Sequence, residues 1–115
     1  MEYERAKARY AELVATVREA ELKGAKMPYT SMNGNMYSNL GENGVALRLP
    51  AGARDEFLAK YQTVLYHTHG IVQKEYVTVP AELLAKTDEL APYFRASFDY
   101  AKTLRPKATK RTSKS

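Results

Sequence analysis

The chain predicts an α+β fold: a two-layer domain in which an antiparallel sheet packs on helices. Three observations carry this. Residues 4–23 and 87–104 repeat apolar side chains at three- and four-residue spacing, the period of a helix with one buried face. Residues 45–49 and 73–79 alternate apolar and polar side chains, the period of a half-buried strand. The strand segments are joined by turns too short for a parallel crossover, so the sheet is antiparallel.

The elements follow in order. Ala6, Tyr10, Leu13, Val14, Val17 and Ala20 form the apolar stripe of the first helix, predicted over residues 4–23 with Gly24 as its C-terminal cap. Residues 36–40 read as a short strand. Gly41-Glu-Asn-Gly44 is the strongest turn signal, because Asn43-Gly44 readily supplies positive φ. Val45, Leu47 and Leu49 then alternate with Ala46 and Arg48, and Pro50 ends the strand. Residues 51–61 return to helical spacing, with Phe57, Leu58 and Tyr61 on one side. Residues 63–68 are β-branched and aromatic, Gly70 marks a turn, and residues 73–79 complete a second hairpin whose register the sequence leaves open. A helical turn over residues 81–86 precedes a long helix, capped by Thr87 or Asp88 and reaching about Leu104, with Leu90, Phe94, Phe98 and Ala101 inward. Pro92 is expected to be tolerated by lying near the first turn.

Charge divides the chain in two. Thirteen Lys/Arg and thirteen Asp/Glu precede Arg105, whereas the last eleven residues carry five cations and no acid. The neutral part, residues 1–104, is read as one domain. Residues 105–115 are read as a basic disordered tail, too polar to pack. The overall pI of 9.4 therefore describes an appendage and not the body. The chain has no cysteine, which excludes disulfides, thiolate metal sites and cysteine nucleophiles. No apolar run approaches the ~20 residues of a membrane span, and no secretory signal is evident. The expected location is the cytoplasm.

No residue set converges on catalysis. None of the serines sits in a Gly-x-Ser-x-Gly elbow, and Asp55-Glu56 and Asp88-Glu89 fall at helix starts, where acids complement the helix dipole. The glycines are too scattered for a nucleotide fingerprint. The expectation is a protein without enzymatic activity, catalytic residues or cofactor.

Three constellations remain. His67 and His69, two apart in a predicted strand, share a face and could approach one metal ion, with Glu75 on the partner strand as a third ligand. More often such a pair is simply two solvated strand histidines. The tail cations Arg105, Lys107, Lys110, Arg111 and Lys114 suit weak, sequence-independent contact with nucleic-acid phosphates, or else only solubilise a terminus. Finally, nine tyrosines and no tryptophan suit a sheet with one wet face, where Tyr37, Tyr66 and Tyr76 would cluster to anchor a protein partner. Self-association through an edge strand is a variant of that idea.

Several short motifs then occur in one order: Met32-Asn-Gly-Asn-Met-Tyr37, Ala46-Leu-Arg-Leu-Pro50, Lys74-Glu-Tyr-Val-Thr-Val-Pro80, and a helix bearing Leu90, Tyr93, Ser97 and Tyr100 that ends in Leu104-Arg-Pro-Lys107. On these, residues 24–107 resemble the N-terminal domain of TfoX/Sxy-type proteins. Met27-Pro-Tyr29 stands where that family commonly has Met-Phe-Gly. The resemblance implies an α-β(3)-α-β(2)-α order, hence a further strand around residues 26–31. It also implies a bacterial regulatory protein, full-length members being implicated in the control of competence genes, with no catalytic residue to carry over.

Overall fold

The structure, a computed structural model, describes residues 3–106. Helix α1 spans Tyr3–Ala15, followed by β1 (Tyr29–Met32), β2 (Asn35–Gly41) and β3 (Gly44–Arg48). Then come α2 (Ala51–Tyr61), β4 (Leu65–Thr68), β5 (Ile71–Val79), the one-turn α3 (Ala81–Leu84) and α4 (Thr87–Thr103). This is the expected α+β order, with three strands before α2 and two after it. The five strands form one antiparallel sheet in the order β1-β2-β3-β5-β4. Among the described residues no helix is long and apolar enough to cross a membrane.

The core lies between one sheet face and helices α1 and α4. Tyr10, Leu13 and Val14 of α1, and Leu90, Phe94, Phe98 and Ala101 of α4, bury against Leu40, Val45, Leu47, Val77 and Val79. Phe57 anchors α2 on the same body. The inward positions read from α4 are thus all buried. A fully buried Ser97 joins them, and its hydroxyl donates to the Tyr37 carbonyl at 2.9 Å.

Helix α1 ends eight residues before the predicted boundary. The β-branched pair Thr16-Val17 stops it: the Thr16 and Val17 amides bond three residues back, and Thr16 Oγ1 donates to the Leu13 carbonyl at 2.7 Å. Val17 remains buried, so the apolar stripe is used although its last part is not helical. Gly24 consequently caps no helix. At φ +80° it turns the chain so that Lys23 and Tyr29 exchange backbone hydrogen bonds. A Cβ there would lie 2.8 Å from the Met27 carbonyl oxygen. Gly24→Ala is expected to lower stability by about 1–2 kcal/mol, read as a lower urea midpoint at unchanged slope.

Helix α4 begins at Thr87, with Lys86 at the capping position and no side-chain cap. Thr87 and Asp88 are therefore inside the helix, where Asp88 and Glu89 complement the dipole. Pro92 sits one turn further in than the first turn. It offers no amide to the Asp88 carbonyl, and both residues lie on the exposed side of the helix.

Three tight turns set the strand registers. Asn33 and Gly34 both take positive φ, as do His69 and Gly70, and each pair is a two-residue hairpin loop. In the β2–β3 turn only Gly44 has positive φ, not Asn43. The β1–β2 ladder then skips a residue: Thr30 faces Ser38 but Ser31 faces Met36, leaving Tyr37 as a bulge.

Candidate functional site: a cleft on the open face of the sheet

The bulge decides which side chains reach the open face. Strict alternation back from the inward Leu40 would turn Ser38 and Met36 toward the helices and Tyr37 away from them. With the extra residue, Tyr37 turns inward beside Ser38. Its ring centroid is 5.9 Å from that of Phe94 and 5.8 Å from that of Phe98. It is 1% exposed, so the expectation that Tyr37 joins a wet tyrosine cluster is corrected. Ser38 is held by hydroxyl contacts of 2.6 Å to both Tyr10 and Thr30. Burial first, and a weak repulsion from Tyr37, push the Tyr10 hydroxyl well above its ordinary pKa despite those bonds. Met36 takes the outward position instead and is exposed.

A second irregularity builds the opposite wall. Between the Leu65–Val77 and His67–Val72 pairs β5 advances five residues and β4 only two. The tip of the β4–β5 hairpin thereby curls back over the open face. The Asn43 side-chain amide in the β2–β3 turn donates to the His67 carbonyl at 2.8 Å, although β5 and β3 separate β4 from β2 in the sheet.

Between these walls lies a cleft of about 470 Å³. Met27 and Tyr29 line it from the β1 side, and Met36, Asn39 and Gly41 from β2. Glu42 stands at the turn, with Tyr66, Thr68, His69, Gln73 and Tyr76 on the hairpin side. Tyr66 is only 4% exposed, and its hydroxyl lies 2.7 Å from where a Cβ on Gly41 would stand. Burial raises the Tyr66 pKa; hydrogen bonding from the Asn43 backbone pulls the other way, and the Glu42 carboxylate adds to the rise. Tyr76 donates to the Met36 carbonyl at 2.7 Å. Its pKa is raised by burial, against the opposing influence of Arg48, whose guanidinium carbon stands 5.7 Å from the ring centre.

Behind Tyr76, Glu75 accepts from Arg48 Nε at 2.7 Å and from the Tyr100 hydroxyl at 3.0 Å, tying β3, β5 and α4 together. Burial alone would raise the Glu75 pKa, but the bonds from Arg48 and Tyr100 and the charges of Arg48 and Arg54 outweigh it and hold it below the ordinary 4.5. The folded state therefore binds the Glu75 proton less readily than the unfolded chain does. That stability is fully present above pH 4.5 and is lost as pH falls through the lower folded-state value. Glu75→Gln is expected to flatten this acid limb in urea titrations run between neutral and acidic pH.

The histidines are not brought together as expected. His67 stands exposed in β4, whereas His69 lies in the turn at φ 53° and lines the cleft, so the alternation that would place both on one face ends at Thr68. Glu75 has both oxygens engaged elsewhere. Among the described residues no three His, Asp or Glu side chains group to hold a metal ion. The tail assigned to nucleic acid lies outside the described residues from Lys107 onward, including Lys110, Arg111 and Lys114. Arg105 is described: its carbonyl accepts from the Asn35 side chain at 2.9 Å, which fixes the end of α4 against the start of β2. The sheet edges are β1 and β4, and the Lys23–Tyr29 bridge covers part of the first.

Of the three expected tyrosines, two meet at the cleft. Reading the sequence missed Met27, Met36, Asn39, Gly41 and Glu42. The Asn33-Gly34 pair was an available signal for the first hairpin, but nothing in the residue pattern marks the bulge at Tyr37.

Fold and cleft together define a two-layer α+β domain with a tyrosine- and methionine-lined cavity on its helix-free face. No protein-family model, no curated protein and no solved structure matches the chain.

Proposed function

We propose that this chain is a non-enzymatic protein-interaction module of the TfoX/Sxy N-terminal type that its motifs resemble, and that the open-face cleft is its contact surface. The observation carrying this reading is the cleft itself. Tyr66 and Tyr76 offer rigid aromatic walls, and Met27 and Met36 offer adaptable apolar contacts at its mouth. Its volume lies within the range of a binding pocket, and most of its lining is apolar with a few polar groups. The α-β(3)-α-β(2)-α order is what the resemblance leads one to expect, and it supports the same reading. The cysteine-free composition favours action in the cytoplasm. The test is affinity capture from cell extract by the wild-type chain and by Gly41→Val, with matched thermal melts. A partner held equally by both removes the cleft from the function.

A second reading rests on a separate observation, the segregation of charge: the chain is neutral up to Leu104 and carries five cations after it. On this reading the tail adds weak, salt-sensitive contact with nucleic acid. Replacing the five tail cations by glutamine in the full chain, and titrating duplex DNA at low and moderate salt, tests it. Unchanged affinity removes the tail from the account.

A further inference from the structure

We infer that the group entering the cleft is a basic side chain, a lysine or arginine presented by a partner protein. The inference rests on the cleft being the contact surface and names what it takes. Its first support is charge. Among the described residues, Glu42 is the only carboxylate that lines the cleft, and no Lys or Arg lines it. Glu42 makes no ion pair among the described residues. Arg48, which stands over Tyr76, is already matched by Glu75 at 2.7 Å.

The second support is the lining. Tyr29 and Tyr66 line the cleft and stack on no other aromatic side chain among the described residues. A tyrosine face attracts a cation through its quadrupole, more strongly when water is excluded. Met27 and Met36 suit the alkyl stem of such a residue.

The third support is a precedent in the same molecule. Between α2 and α4, the Lys60 ammonium lies 5.4 Å from the Tyr61 ring centre and 5.9 Å from that of Tyr93. The hydroxyls of those tyrosines donate to Glu89 and Glu56. That site has tyrosines, carboxylates and its own cation. The cleft has tyrosines and a carboxylate and, among the described residues, no lysine or arginine in its lining.

The experiment titrates the ¹⁵N-labelled full chain with three capped glycine peptides whose central residue is lysine, acetyl-lysine or glutamate. Amide shifts give both site and affinity. The lysine peptide is expected to move the amides of Glu42, Tyr66 and Thr68, and to bind about five- to thirtyfold more tightly than the acetyl-lysine peptide. Glu42→Gln, at an exposed position that leaves the fold intact, is expected to erase most of that preference. Equal affinity for lysine and acetyl-lysine overturns the inference while leaving an interaction cleft in place. So do lysine-induced shifts that cluster at Glu56 and Glu89, or cleft shifts that follow protein concentration without peptide and so assign the surface to a second copy. A partner captured equally by wild type and Gly41→Val overturns the underlying reading instead.

Discussion

Gly41→Val is expected to weaken binding at the cleft by about thirtyfold or more, the scale on which an interface loses an aromatic anchor. The reason is geometric. A Cβ at position 41 would meet the Tyr66 hydroxyl at 2.7 Å, Asn39 Oδ1 at 3.5 Å and Met27 Cε at 3.9 Å, all of them side-chain ends in the cleft. The valine would fill the space that the hydroxyl needs and drive the ring out of its seat. Gly41 lacks positive φ, so valine brings no backbone strain, and the β-branched side chain suits a strand. The stability cost is therefore that of local overpacking, about 1–3 kcal/mol. The signature is a large change in affinity with a modest change in urea midpoint. A large loss of stability would instead show that Tyr66 is a structural clamp between the hairpin and the β2–β3 turn.

Phe94→Ala is expected to produce the largest loss of stability, about 3–5 kcal/mol. Phe94 is fully buried and touches Tyr37, the side chain that the bulge turns inward. Its removal leaves a cavity between α4 and β2 where neighbours can collapse only partly, because Ser97 holds the Tyr37 backbone and Tyr10 holds Ser38. Domains of this kind are stable by about 5–15 kcal/mol, so one such loss takes a large share of the total. The check is urea unfolding of the two proteins, with the midpoint falling at constant slope. Phe94→Leu, which keeps most of the volume, should recover more than half of the loss. A small effect of the alanine variant would mean that α4 is not the lid of the core.

The two results bear on one another through β2. The same bulge that sends Tyr37 into the core sends Met36 to the cleft, so a variant that loosens the Tyr37 seat is also expected to disturb the cleft floor. Adding Phe94→Ala to Gly41→Val therefore tests whether core and cleft are coupled, since distant and independent sites would give additive changes.

Much of this architecture is legible in the residues. The stripe from Ala6 to Val17, the alternation of Val45, Leu47 and Leu49, and the spacing of Leu90, Phe94, Phe98 and Ala101 are local periodicities, and burial follows them. They are sufficient for the layers, the element order and the inward face of α4, because a side chain's direction repeats along a regular element. The neutral body and basic end are likewise matters of composition.

The cleft is different in kind. It depends on where regular elements stop being regular: one surplus residue at Tyr37, a ladder shift between Leu65 and His67, and left-handed turns at His69-Gly70 and Gly24. The bulge and the ladder shift are held by contacts far apart in sequence, Ser97 with Tyr37 and Asn43 with His67, which no local pattern encodes, whereas the turn at Gly70 is marked by its own residue. A shift of one residue exchanges the two faces of a strand, which is why Tyr37 left the expected cluster and Met36 entered the site.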